Sequence, residues 1–134
     1  MTINKDLHNQ VSVGVAIDLT AVADGEDVVG AVIDRQGSEG LEIIFQVGAY
    51  TDGSVTPLIE DSDDNVTYAA VADANLTNTE ASAALSAAGV SNIGYVGFKR
   101  YVRATAVTAA GSTLSVGASF VKFSLRLQGT VNPS

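Results

Sequence analysis

Asp61, Asp63 and Asn65 stand at alternate positions. They reproduce the D-x-D-x-N opening of a calcium loop, in which carboxylates two residues apart converge on one cation. The sixth position of that loop is Val66, where glycine makes the sharp turn, and the twelfth is Ala72, where glutamate supplies the bidentate ligand. The segment therefore reads as an acidic, solvated turn, and Asp24, Glu26 and Asp27 read the same way. Glu60 and Asp61 form an adjacent carboxylate pair, but neighbours on a strand point to opposite faces and share no substrate. The chain has no cysteine, which removes thiolate nucleophiles and cysteine-ligated zinc or iron–sulfur sites and leaves the redox compartment unread. Its one histidine, His8, lies in an unpatterned N-terminal segment, so a Ser-His-Asp triad would lack preorganisation. Gly94 and Gly97 flank Tyr95 and Val96 without a helix start behind them, which marks a closely packed strand and not a phosphate cradle. No enzyme activity, metal or cofactor is expected.

The one basic cluster is Lys99, Arg100, Tyr101 and Arg103, with Tyr101 and Arg103 on the same side of a strand. It has two readings: a turn followed by the outer face of a strand, or an anchor to an acidic partner surface. The charge distribution around it is lopsided. All fifteen acids lie in residues 1–80 beside only Lys5 and Arg35, and residues 81–134 hold five bases and no acid, for a net charge of −8. Either the two halves pair across one domain and the charges meet, or a dipolar surface docks on a partner or on another copy. The net charge, and the few aromatics among the bases, argue against direct nucleic-acid binding. No apolar run reaches the roughly 18 residues of a membrane helix, and the first ten residues lack the apolar core of a secretory signal.

Positioning these residues falls to a chain of 134 residues, enough for one domain with a core that needs no disulfide. Its periodicity is mostly two, the mark of half-buried strands. Val11, Val13, Val15 and Ile17 alternate with Ser12, Gly14, Ala16 and Asp18 as a first strand, and a second runs from Val28 to Ile33. Leu41, Ile43, Phe45, Val47 and Ala49 form the clearest apolar face, a central strand. Asp52-Gly53 is a strong turn, and Val55 to Glu60 is a strand whose Pro57 suits an edge or bulge. Further strands are expected over 67–71, 93–98, 101–108 and 114–127, with a hairpin loop over 109–112. Residues 76–90 read as a long excursion with at most one short helix. Eight or nine short strands separated by Gly, Asp and Asn turns predict an all-β fold, an antiparallel two-sheet β-sandwich of jelly-roll or immunoglobulin-like topology. The sandwich is expected over 10–127, with an extended N-terminal arm over 1–9 and a C-terminal tail over 128–134.

Two spans carry a family resemblance: GLEIIFQVGAYTDGSVTPLIEDSDD over 40–64 and NIGYVGFKRYVR over 92–103. Each joins strands through an Asp-Gly turn, an acidic turn or a basic aromatic segment. They resemble small structural proteins of the tailed-bacteriophage head module, most like capsid decoration or cement proteins, over residues 40–127. The resemblance implies a non-enzymatic virion protein made in the bacterial host cytoplasm and bound to the outside of the capsid. Its partner would be the lattice of the major capsid protein, on which it sits as a homo-oligomer, a trimer or dimer, with neither nucleic acid nor membrane contacted directly. Such a protein stabilises the shell by binding its mature form over many sites. The expected docking residues are Ile3, Lys5 and His8 in the arm and Lys99, Arg100, Tyr101 and Arg103 in the basic segment. The acidic turns, Asp52 and Asp61 to Asp64, are expected to face outward or toward a neighbouring copy. Two alternatives stay open: a tail or head–tail connector component, and a carbohydrate-binding sandwich whose small aromatic face would come from Tyr50, Tyr68, Tyr95 and Tyr101.

Overall fold

The structure, a computed structural model, describes residues 11–23, 25–38, 40–77 and 84–123. The expected arm over 1–9, the tail over 128–134 and the last residues of the expected final strand lie outside the described residues.

Among the described residues the chain forms nine strands: β1 (Val11–Val22), β2 (Val28–Asp34), β3 (Gly40–Asp52), β4 (Val55–Ser62), β5 (Ala69–Ala70), β6 (Leu76–Thr77), β7 (Gly89–Tyr95), β8 (Tyr101–Thr108) and β9 (Thr113–Phe123). A single 3-10 turn over Asp73–Asn75 is the one helical element among the described residues, just before the stretch expected to hold a short helix. One sheet has the order β1-β9-β3-β7-β6 and the other β2-β8-β4-β5. The first four strands thus pair, in order, with β9, β8, β7 and β5, all antiparallel. A long antiparallel ribbon wrapped into two layers has this nesting, so of the two expected topologies the strand order selects the jelly roll.

Alternation sets the core. Leu41, Ile43, Phe45 and Val47 of β3 face inward beside Leu114, Val116 and Ala118 of β9 and Ile93 and Tyr95 of β7. Ile33, Val55, Ile59, Val102, Ala104 and Ala106 face them from the second sheet. The alternation misleads in β1. Register shifts after Val15 and after Ile17 turn Ala16 and Ile17 into the core, and they leave Val13 and Val15 exposed on the outer face. In β9, Phe120 and Lys122 share the inward side, and Val121 and Phe123 point outward. Gly14 leaves room for the Phe120 ring, which lies directly over its bare backbone where a Cβ would stand.

The turns differ more from expectation than the strands. The loop over 109–112 is no hairpin: it carries the chain from β8 in one sheet to β9 in the other, and Gly53 makes a similar corner between β3 and β4. Both corners need the same left-handed glycine that a hairpin would, with φ of 94° at Gly53 and 78° at Gly111. Sequence therefore cannot tell the two apart. The corners lock together. The buried Ser112 hydroxyl accepts from the Ser54 amide (3.1 Å) and donates to the Ser54 carbonyl (3.2 Å), and Ser112 O accepts from the Gly25 amide (3.2 Å). Pro57 lies on β4 where the two-residue β5 does not reach, so its missing N–H costs no ladder bond on that side.

Two substitutions test this packing in opposite directions. The buried Thr105 hydroxyl has no hydrogen-bond partner among the described residues. Thr105→Val is therefore expected to raise unfolding free energy by about 1 kcal/mol in urea titrations. A Cβ at Gly53 would collide with the buried Ser112 side chain and backbone, with φ in the left-handed region. Gly53→Ala is expected to lower it by about 1–3 kcal/mol.

Candidate docking surface

Three connections meet at one end of the sandwich: 35–39 between β2 and β3, 62–68 between β4 and β5, and 96–100 between β7 and β8. Val11, Gly40 and Phe123 lie at this end too, with Val11 and Gly40 each paired to Phe123, so the segments 1–10 and 124–134 attach here.

Tyr95 organises the end. As the last residue of β7 it points inward and is buried, and its hydroxyl donates to Asp61 Oδ2 (2.8 Å) and accepts from the Lys99 amide (3.2 Å). The Arg35 guanidinium lies 4.8 Å from the centre of the Tyr95 ring. Arg35, itself buried, donates from Nε to Lys99 O (2.9 Å) and from Nη2 to Gly97 O (3.0 Å), and its amide donates to Arg100 O (2.8 Å). The Val96 amide donates to Asn75 O (2.8 Å). Gly97 is indispensable, since a Cβ there would meet the Tyr95 hydroxyl at 2.5 Å. Every residue from Val96 to Arg100 except Phe98 is thus tied through its backbone. On this fixed loop Phe98 is 95% exposed, beside the exposed Val96 and a hollow lined by Arg35, Gln36, Gly37, Ser38 and Arg100.

The basic cluster meets acids from the first half of the chain. Arg100 makes a two-pronged pair with Asp34 (2.9 and 2.8 Å), Lys99 reaches Asp63 (3.3 Å), and Arg103 pairs with Glu60 (3.1 Å) while stacking 4.2 Å from the centre of the Tyr68 ring. Of the two readings of the charge split, pairing across one domain is what these contacts show. Tyr101 lies under Arg100, 4.9 Å from ring centre to guanidinium carbon. Lys99, Arg100, Tyr101 and Arg103 therefore share one end, whereas Ile3, Lys5 and His8 lie outside the described residues.

The acidic turn corrects one expectation and refines another. Asp61 is buried and faces inward to Tyr95, not outward, because β4 continues through Ser62 and places odd positions in the core. Glu60 points to the opposite face, as strand alternation requires. Asp61, Asp63 and Asn65 do not converge: they turn to Tyr95, Lys99 and Tyr68 respectively. The Asp64 carboxylate caps the turn by accepting from Ser62 Oγ (2.9 Å) and from the Val66 and Thr67 amides (2.9 and 3.0 Å). Among the described residues no group of three His, Cys, Asp or Glu side chains could hold a metal ion. The four tyrosines do not form one face: Tyr95 is buried, and Tyr50 lies near the far end of β3, bonded to Gly53 O (2.9 Å).

Phe98 was missed by sequence reading because alternation carries the strand through to it. β7 instead ends at Tyr95, whose inward turn frees the next residues. The Phe beside Gly97 and the Lys-Arg pair was the available signal. No protein-family model matches the chain, and no curated protein matches it. The fold defines the class as a jelly-roll β-sandwich, and such sandwiches serve many unrelated functions.

The site has a two-sided pH signature. The Arg100 guanidinium and the Gln36 amide hold the Asp34 carboxyl down to about 2, and the Thr67 and Val66 amides with Ser62 do the same for Asp64. A carboxyl depressed in the folded state contributes stability above its unfolded value, and loses it as pH falls from about 4 toward 2. Burial, with the bond to Asp61 second, pushes the Tyr95 phenol up to about 12. That contribution is complete below about pH 10 and is lost as pH rises toward 12. Stability measured against pH should fall at both limits, and Tyr95→Phe should remove the alkaline part while costing about 1–3 kcal/mol at neutral pH, because the buried Asp61 loses its donor.

Proposed function

We propose that this protein is a non-enzymatic structural component of a tailed-phage head that docks on the outside of the capsid through the Phe98 end and stabilises the mature shell. The observation that carries the reading is the full exposure of Phe98 on a loop whose neighbouring backbone groups are already fixed. An exposed phenylalanine gains nothing for the free protein. A rigid loop that presents one loses little entropy on binding, which is how an aromatic anchor contributes most to affinity. The resemblance of residues 40–64 and 92–103 to head-module proteins supplies the class of partner.

The internal pairing of Lys99, Arg100 and Arg103 changes the role assigned to them. Their charges are largely compensated, so they form a polar rim around the apolar anchor and set its register on the shell.

The test is immunogold labelling of virions from the host of origin with antibody against this protein. Label over the heads is the expected result, and label confined to tail or neck would move the protein to the tail or connector class. On isolated heads, Phe98→Ala should bind at least about tenfold more weakly with an unchanged melting temperature, as loss of an anchor of about 1.4–2 kcal/mol requires.

A further inference from the structure

Arg35 is the one buried cation among the described residues. Burying a charge is costly unless an opposite charge or hydrogen bonds offset it. Lys99, Arg100 and Arg103 each have a carboxylate, and Arg35 has none among the described residues. Its guanidinium is engaged along one edge only. Nε and Nη2 donate to the carbonyls of Lys99 and Gly97, which fills the side edge of the planar group. The end-on edge, Nη1 with the second hydrogen of Nη2, has no partner among the described residues. Nη1 is not sealed from water: among the described residues the Thr105 hydroxyl is the sole fully buried side-chain polar atom without a partner. The cavity that Arg35 lines is the hollow of about 270 Å³ between the 36–38 turn, Arg100 and Phe98. The Gly37 amide and the Ser38 hydroxyl belong to that lining and bond to no other described residue.

We propose that this hollow takes a carboxylate, the aspartate or glutamate side chain of the protein on which Phe98 docks, held end-on by Arg35. The source of the carboxylate rests on the docking reading; the site itself does not. Charge sets the class of ligand. Arg100 is neutralised by its two-pronged pair with Asp34, so the hollow holds one uncompensated positive charge. A carboxylate brings one negative charge on two oxygens spaced to match the guanidinium fork. A phosphate dianion would set its second charge against Asp34 and against a molecule of net charge −8. Size sets the source. The hollow is smaller than the roughly 300–1,000 Å³ of small-molecule pockets, and an almost wholly exposed phenylalanine stands beside it. It fits the tip of one side chain on a protein surface that also covers Phe98. Phe98 then supplies apolar contact, and Arg35 fixes the orientation in which that contact is made.

Arg35 also holds the Phe98 loop, so the test leaves it in place and uses acetate as the probe. In NMR titrations of the ¹⁵N-labelled full chain at constant ionic strength, acetate should shift the Arg35 Nε–H and the Gly37 and Ser38 amides along a saturating curve. Half-saturation is expected on the order of 10 mM, as one charge-assisted fork gives. Chloride producing the same shifts, phosphate binding more tightly than acetate, or no saturable shift would each overturn the proposal. Ser38→Asp puts a carboxylate into the hollow and should abolish the acetate response; a response like that of the wild type overturns the proposal. On isolated heads Ser38→Asp should bind at least about tenfold more weakly than the wild type. Heads that lose affinity with Phe98→Ala but not with Ser38→Asp would leave the docking reading standing and remove the carboxylate. A saturable acetate response with head binding indifferent to Phe98→Ala would do the reverse, leaving the carboxylate site and removing the Phe98 anchor.

Discussion

Tyr95 sits where β7 runs out, with its hydroxyl on a buried carboxylate and its ring against a buried guanidinium. Neither charge forms an ion pair with the other. Arg35 spends its donors on the carbonyls of Gly97 and Lys99, and Asp61 accepts from the phenol. Removing any one of the three leaves a buried polar group without its partner, which costs more than the bond itself contributes. The arrangement converts a glycine-containing loop of a kind usually mobile into a fixed feature of the fold, and the position of Phe98 follows from it.

The nested pairing of the jelly roll explains the charge split in the same terms. Because β1 to β4 pair with partners from the second half, an acidic first half and a basic second half come to lie strand beside strand. Asp34 meets Arg100, Glu60 meets Arg103 and Asp63 meets Lys99. Surface pairs of this kind contribute little stability individually. Their effect is on register, since a one-residue slip of β8 against β4 would turn Arg103 away from Glu60 and into the core.

Much of the fold was legible in the sequence. Period-two alternation gave the strand positions, and the β3 face of Leu41, Ile43, Phe45 and Val47 is the centre of the core. Strand order was not legible, because a glycine corner between sheets and a glycine turn within one use the same residues, as 109–112 demonstrates. The bulges in β1 were hidden for a related reason: Val13, Val15 and Ile17 look equivalent as a pattern, and the register shifts that separate them depend on β9. At the docking end, the basic segment was visible but its carboxylate partners lie 36 to 66 residues away in the chain, and Phe98 was concealed inside an apparent strand. Long-range pairing is where local pattern carries least information.

The central claim is that the loop bearing Phe98 is rigid before any partner arrives. Native-state hydrogen exchange of the free protein tests it at the Val96 and Lys99 amides, which donate to Asn75 O and to the Tyr95 hydroxyl. The account requires both to exchange as slowly as the hydrogen-bonded amides of β7, because they open only when Tyr95 leaves its site. Exchange at the rate of an unstructured loop, with β7 still protected, would contradict it.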